Sequence, residues 1–366
     1  MISPGLVLNN PSRTGSSRHR AHNQTAQRVV VAAQLKFAEF SERSLVVDGE
    51  GAFFSLTSER VEVLFQFAHS FGPFPASYST RGIGRSPAET TEMKISAGLS
   101  HLMTVILILT AFSGCARKKT GFVLEFAPAT TPENQRIQTL LQEDNLNLVL
   151  DGLNAAFKIP YVVPVVFTEG TEQAVYRNGE ITICYNFLAD IDEALKNDYP
   201  KPEQRNLILM GEAHFVLYHE VGHAMVDMFD LPVVGREEDA VDGLATILAV
   251  SVLKRPELAV GAALAFDSQD DPSEDFDQKD YWDVHSLDAQ RYYNILCWVH
   301  GGAPEMCDDL VAELVPNDWF ESRAGDCEQE FEKLRKNWGK LLEPHFKPGV
   351  KLLAKVVKKN NERADK

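Results

Sequence analysis

The chain is short of the features that mark several common functions. Only five of its 366 residues are cysteines, at 115, 184, 297, 307 and 327, and no two of them are spaced C-x-x-C. That spacing argues against a zinc-thiolate site. No basic patch or stripe is evident and the formal charge is −16, so a nucleic-acid partner is not expected. The apolar run Leu102–Phe112 has eleven residues, too few to span a bilayer comfortably. Residues 267–283 hold eight acidic side chains, but without the glycine of a calcium-binding loop they read as solvated surface. What is present is ordinary. At 44% apolar and 24% charged, the composition is that of a soluble globular chain with one large or two smaller domains.

The ends differ from the middle. Residues 1–92, with an Arg/Ser-rich opening and weak patterning, read as a poorly ordered extension or as sequence upstream of the true start. At Met93 the pattern changes: Lys94, the apolar run, then Ser113-Gly114-Cys115 followed by Arg117-Lys118-Lys119. This is the layout of a signal peptide over 93–114, and the small pair before Cys115 resembles a bacterial lipoprotein cleavage site. The expectation is an extracytoplasmic protein of a bacterial cell envelope, held to the membrane by lipid on Cys115. Cleavage after Ala111-Phe112-Ser113 would instead release it as a secreted or periplasmic protein. Residues 115–130 read as a tether, 131–345 as the working domain and 346–366 as a basic, amphipathic tail.

Within the domain, Thr131 is a plausible helix cap with Glu133 in the first turn. Tyr161–Phe167 is β-branched and reads as a strand, with Pro164 favouring an edge or irregular position. Gln173–Tyr185 predicts a hairpin turning at Asn178-Gly179, the preferred pair for a type I′ turn. Leu244–Leu253 is apolar nearly all round and belongs in the core.

The chemistry lies between these segments, at His219-Glu220-Val221-Gly222-His223. The preceding stretch from Asn206 is free of proline and carries apolar residues at helical spacing, and Pro232 predicts an end near Phe229. On that helix His219 and His223 lie one turn apart and aim two imidazoles at one point, where a metal ion can sit. Glu220 can then take a proton from water activated there. A catalytic zinc usually takes three protein ligands. Asp227 continues the row but lies about 12 Å along the axis from His219, so a ligand from a second helix fits better. Glu238 and Asp242 are one turn apart on such a segment. Glu238 is expected to bind the ion, with Glu237 as the alternative, and Asp242 to accept the free N–H of a ligand histidine.

H-E-x-G-H followed by E-x-x-x-D resembles the gluzincin arrangement of metallopeptidases. The wording from Leu231-Pro-Val-Val-Gly to Asp242 is similar to a bacterial metallopeptidase family of undefined substrate, over about residues 131–345. The resemblance implies an α+β, zincin-like fold, mainly helical with a small mixed sheet. It also implies one zinc ion on His219, His223 and Glu238 with Glu220 as base, and a disulfide between Cys297 and Cys327. If Cys115 is lipidated, Cys184 and Cys307 are left, paired or free.

A peptidase also needs a donor for the oxyanion. His285, Arg291 and Tyr293 crowd an otherwise apolar stretch, and His285 leads because it can donate and shuttle protons. In zincin folds a strand beside the metal helix commonly pairs with extended substrate, and the 173–185 hairpin is placed to do so. The expected function is hydrolysis of peptides or proteins. The alternatives are a non-catalytic zinc-containing envelope lipoprotein that binds peptide, and a hydrolase of some other amide.

Overall fold

A computed structural model describes residues 120–269 and 284–350, together with 63, 66 and 70. Residues 1–62, 71–119, 270–283 and 351–366, which include the expected signal peptide, lie outside the described residues. So do the side chains of 306–310, Cys307 included.

The chain first lays down β1 (Gly121–Phe126), α1 (Pro132–Glu143) and α2 (Asn147–Ala156). Thr131 caps α1 as expected, its hydroxyl accepting the Asn134 amide at 3.2 Å. β1 corrects the tether expected over 115–130: Gly121 to Phe126 pairs in parallel with β2 (Val162–Thr168), and Phe122 is buried. Its pairing partner stands some forty residues further on, so no local pattern announces it.

β3 (Ala174–Arg177) and β4 (Glu180–Cys184) form the hairpin, with Asn178 at φ 54° and Gly179 at φ 81°, both left-handed as a type I′ turn requires. The sheet order is β1-β2-β4-β3, with β2 parallel to both neighbours and β3 antiparallel to β4. β2 is thus interior, against the expectation from Pro164. The reason is register: Pro164 pairs with Val123 of β1, and the ladder to β4 begins only at Val165. At the proline itself the strand is still an edge.

Helices α3 (Tyr185–Leu195), α4 (Pro202–Phe229), α5 (Glu237–Ile247) and α6 (Pro256–Gln269) follow. α4 is the spine of the domain and ends at Phe229, where Asp230 turns left-handed at φ 49°. It is buried on nearly every side from Gln204 to Met225. α6 crosses it with glycine against glycine: a Cβ on Gly211 would stand 2.7 Å from the Gly261 Cα. α5 continues through a π turn, Leu248–Val252, so the apolar stretch 244–253 is buried but is not one regular helix.

The chain closes with α7 (Asp288–Gly302), α8 (Pro304–Leu314), α9 (Asn317–Ser322), α10 (Ala324–Leu342) and a short 3₁₀ turn, Glu343–His345. A disulfide joins Cys297 on α7 to Cys327 on α10, as the resemblance implied. Cys184 is free and buried. Upstream, Val63 and Ser70 are buried against the domain, and the Ser70 hydroxyl donates to the Ser251 carbonyl at 3.3 Å. The whole is mostly helical with a small mixed sheet, an α+β architecture.

Candidate metal centre

α4 and α5 meet at Gly222, inside the H-E-V-G-H stretch. A Cβ there would stand 2.8 Å from the Val241 side chain, so only glycine lets α5 lie this close. The close approach brings Glu238 and Asp242 against the two histidines of α4. Among the described residues one group of side chains can hold a metal ion, and it is His219, His223 and Glu238.

The distances fit a small tetrahedral ion. His219 Nε2 and His223 Nε2 are 3.2 Å apart, and Glu238 Oε2 stands 3.1 Å from the first and 3.4 Å from the second. Around an ion with bonds of about 2.0–2.1 Å, tetrahedral ligands are separated by roughly 3.3–3.4 Å. The far side of each imidazole is also engaged. His219 Nδ1 lies 2.7 Å from Asp242 Oδ1, and His223 Nδ1 lies 2.8 Å from Glu237 Oε1. If each Nδ1–H donates to its carboxylate, both Nε2 atoms present lone pairs. Two lone pairs and a carboxylate oxygen then face one another, which repels unless a cation stands among them.

Protonation behaves accordingly. Burial opposes charge on His219, but hydrogen bonds to Asp242 and Glu238 outweigh it and raise its pKa to about 9. His223 is raised too, with burial again overcome, chiefly by Glu238. Burial also opposes ionisation of Glu238, yet hydrogen bonds from His219, His223 and His285 hold its carboxyl far below the usual range. A proton and a metal ion compete for the same place.

The cleft over this group has a volume of about 870 Å³. It is bordered by β3 at Ala174–Tyr176, by the end of α4, by Arg236–Glu238 and by Val284-His285. β3 pairs with β4 on one side and borders the cleft. Tyr176 ties it to α4, its hydroxyl donating to Asp227 Oδ2 at 2.6 Å. Glu220 is 6% exposed but lines the cleft, and burial raises its pKa. The backbone N–H of Tyr176 donates to it, which partly opposes that rise.

The expected residues therefore divide. His219, Glu220, His223, Glu238 and His285 come together at the cleft. Asp242 lies directly behind His219. Glu237, the alternative ligand, stands behind His223 instead. Of the three oxyanion candidates, His285 lines the cleft, 48% exposed with Nε2 3.1 Å from Glu238 Oε2. Arg291 is fully engaged with Asp242 through two bonds of 2.8 Å, and Tyr293 faces a separate hollow beside Asp239 and Ser286.

Sequence reasoning missed Glu212. It sits seven residues before His219 on the same face of α4, is 2% exposed, and its Oε2 has no hydrogen-bond partner. Burial pushes its pKa up to about 8. The i−7 spacing was visible, but an acid in a helix usually faces water, so nothing local set it apart.

The model of a family described as "Putative metallopeptidase" matches residues 126–342. No curated protein and no solved structure matches the chain.

Proposed function

The chain belongs to that metallopeptidase family, and from this premise we propose that it is a zinc-dependent peptidase with a zincin-like fold. The observation that carries the reading is the triangle of His219, His223 and Glu238 donor atoms, closed to 3.1–3.4 Å at the floor of a cleft that Glu220 also lines. The donor set of two imidazoles and one carboxylate, with spacing suited to bonds of about 2 Å, favours zinc. When bound, the ion supplies Lewis acidity, making water acidic near neutral pH and polarising a carbonyl.

The protein groups do the rest. Asp242 and Glu237 hold the two imidazoles in the tautomer that leaves Nε2 free. Glu220 takes the proton of the attacking water and returns it to the leaving amine. Burial raises its pKa, which makes its carboxylate a stronger base for that exchange. His285 offers an N–H toward the carbonyl oxygen as negative charge builds there, a contribution worth about 2.7–4 kcal/mol in comparable sites. An extended peptide lies along β3, pairing with its backbone. The substrate is a peptide or protein.

The place of action we propose is a bacterial cell envelope, with the mature chain lipidated at Cys115. The Cys297–Cys327 disulfide supports an oxidising compartment. Among the described residues no helix is long and apolar enough to cross a membrane. Mass determination of the natural protein tests this: a mature chain beginning at residue 115 is expected, and a peptide from before Met93 would overturn it.

The deciding experiment for the activity is metal analysis of the wild type and Glu220→Gln, with both assayed on casein and a peptide library. Zinc in both proteins is expected, with cleavage reduced about 10²–10⁴-fold in the variant. Equal cleavage would remove Glu220 from the mechanism. Bound peptide without cleavage in either protein would favour a non-catalytic envelope protein.

A further inference from the structure

Beneath the cleft Arg291 reaches from α7 into the space between α5 and α6. Its Nε donates to Asp242 Oδ2 and its Nη2 to Asp242 Oδ1, each at 2.8 Å. Its guanidinium carbon stands 4.0 Å from the centre of the Phe266 ring on α6. Asp242 is 3% exposed, and the same Oδ1 faces His219 Nδ1 at 2.7 Å. A two-pronged contact of this kind fixes the plane of a carboxylate as well as its position. The plane of Asp242 in turn sets the angle at which His219 can donate, and so the direction of its Nε2.

α7 is itself held. Six residues after Arg291, about 9 Å along the axis, Cys297 is bonded to Cys327 of α10. Just before α7, Arg236 donates to the His285 carbonyl at 3.0 Å and Ser286 donates to Asp239 at 2.6 Å. α7 is thus tied to the start of α5 through the residues that lead into it, and to α10 through the disulfide.

Resting on the metal-centre reading above, we propose that Arg291 is a positioning residue of that centre. Its fork holds Asp242 in the orientation that aims His219 at the ion, so that ion affinity is set in part from α7. An arginine serving only to neutralise a buried carboxylate would be replaceable by lysine. A fork that sets an angle is not.

The test is zinc affinity, read by competition with a chromophoric chelator, for the wild type, Arg291→Lys, Arg291→Met, Asp242→Asn and the Arg291→Met/Asp242→Asn double variant. Thermal melting of the metal-free proteins and the visible spectrum of their cobalt forms are recorded alongside. Loss of an outer partner typically weakens binding about 10–100-fold, and that is expected for Arg291→Met. Arg291→Lys should keep the melting temperature yet bind zinc several-fold more weakly, with a shifted cobalt band. The double variant should bind no worse than Asp242→Asn alone, because the two residues act through one path. Wild-type affinity and spectrum in Arg291→Lys would overturn the proposal, as would losses in the two single variants that multiply in the double. Should Arg291→Met fail to fold, the lysine variant decides. A wild-type protein that binds no zinc would instead reject the metal-centre reading, and this proposal with it.

Discussion

Two stretches of α4 bury histidine beside carboxyl groups, and only one of them opens on a cleft. In the first, His214 is 2% exposed, with Nδ1 2.6 Å from the Tyr218 hydroxyl and Nε2 3.2 Å from Asp144. Burial lowers its pKa despite Asp144, so it is held neutral with both nitrogens satisfied. In the second, one turn on, His219 is nearly as buried at 5%. Its outer nitrogen faces another nitrogen and a carboxylate oxygen, and its pKa rises. Residue type and depth are the same in both. What separates a structural histidine from a candidate ligand is whether its second nitrogen meets a single partner or converges with other lone pairs on an accessible point.

The sharpest break of that comparison is to remove each histidine in turn. His219→Ala should weaken zinc binding by more than the roughly 100-fold that an outer partner can account for. His214→Ala should leave zinc affinity unchanged while costing about 1–3 kcal/mol of stability, because Tyr218 and Asp144 lose their partner. Chelator competition and denaturant melts separate the two. If His214→Ala also released zinc, the division of the helix into two stretches would fail.

The disulfide comes next. Replacing Cys297 and Cys327 by serine should cost about 3–4 kcal/mol, given the 30-residue separation, read as a lower urea midpoint. Gly222→Ala should cost about 1–3 kcal/mol through overpacking against Val241. Because α5 must back away, it should also weaken zinc binding, which equilibrium dialysis would show.

Glu212 belongs to the sealed stretch and carries a pH dependence of known sign. Its folded pKa of about 8 lies above the ordinary 4.5, so the folded state holds a proton that the unfolded state releases between those values. Stability of the metal-free protein therefore falls as pH rises from about 4.5 to 8, by an amount on the order of 4 kcal/mol. Glu212→Gln should remove that slope, melting like the wild type at pH 4.5 and well above it at pH 8. The smallest effect is expected from deleting residues 1–114. Loss of the Val63 and Ser70 contacts should cost under about 2 kcal/mol and leave zinc affinity as it was.

Much of this was legible locally. The Asn178-Gly179 turn, the α4 end at Phe229 and the Thr131 cap each follow from a few adjacent residues, and each is found where the pattern put it. The i, i+4 spacing of His219 and His223, and of Glu238 and Asp242, is also local once helices are assumed. What the chain hid are relations across distance. β1 needed a partner at Val162, Pro164 needed the register of β4, and Arg291 needed Asp242 forty-nine positions away. An arginine in an apolar helix reads equally as an oxyanion donor or as a buried counterion, and only its neighbours choose.

The crossing of Gly211 over Gly261 has a mechanical corollary. Backbone lies on backbone there, with no side chain to cushion it, so the contact is a fulcrum for any tilt of α4 against α6. His219 rides eight residues up the same rod, about 12 Å away. A tilt of only about five degrees at the fulcrum would swing its ring by roughly 1 Å, a displacement that can slow a reaction about a hundredfold. One methyl added at either glycine, remote from ion and peptide alike, should therefore register as lost turnover, with the domain still folded around a centre that no longer lines up.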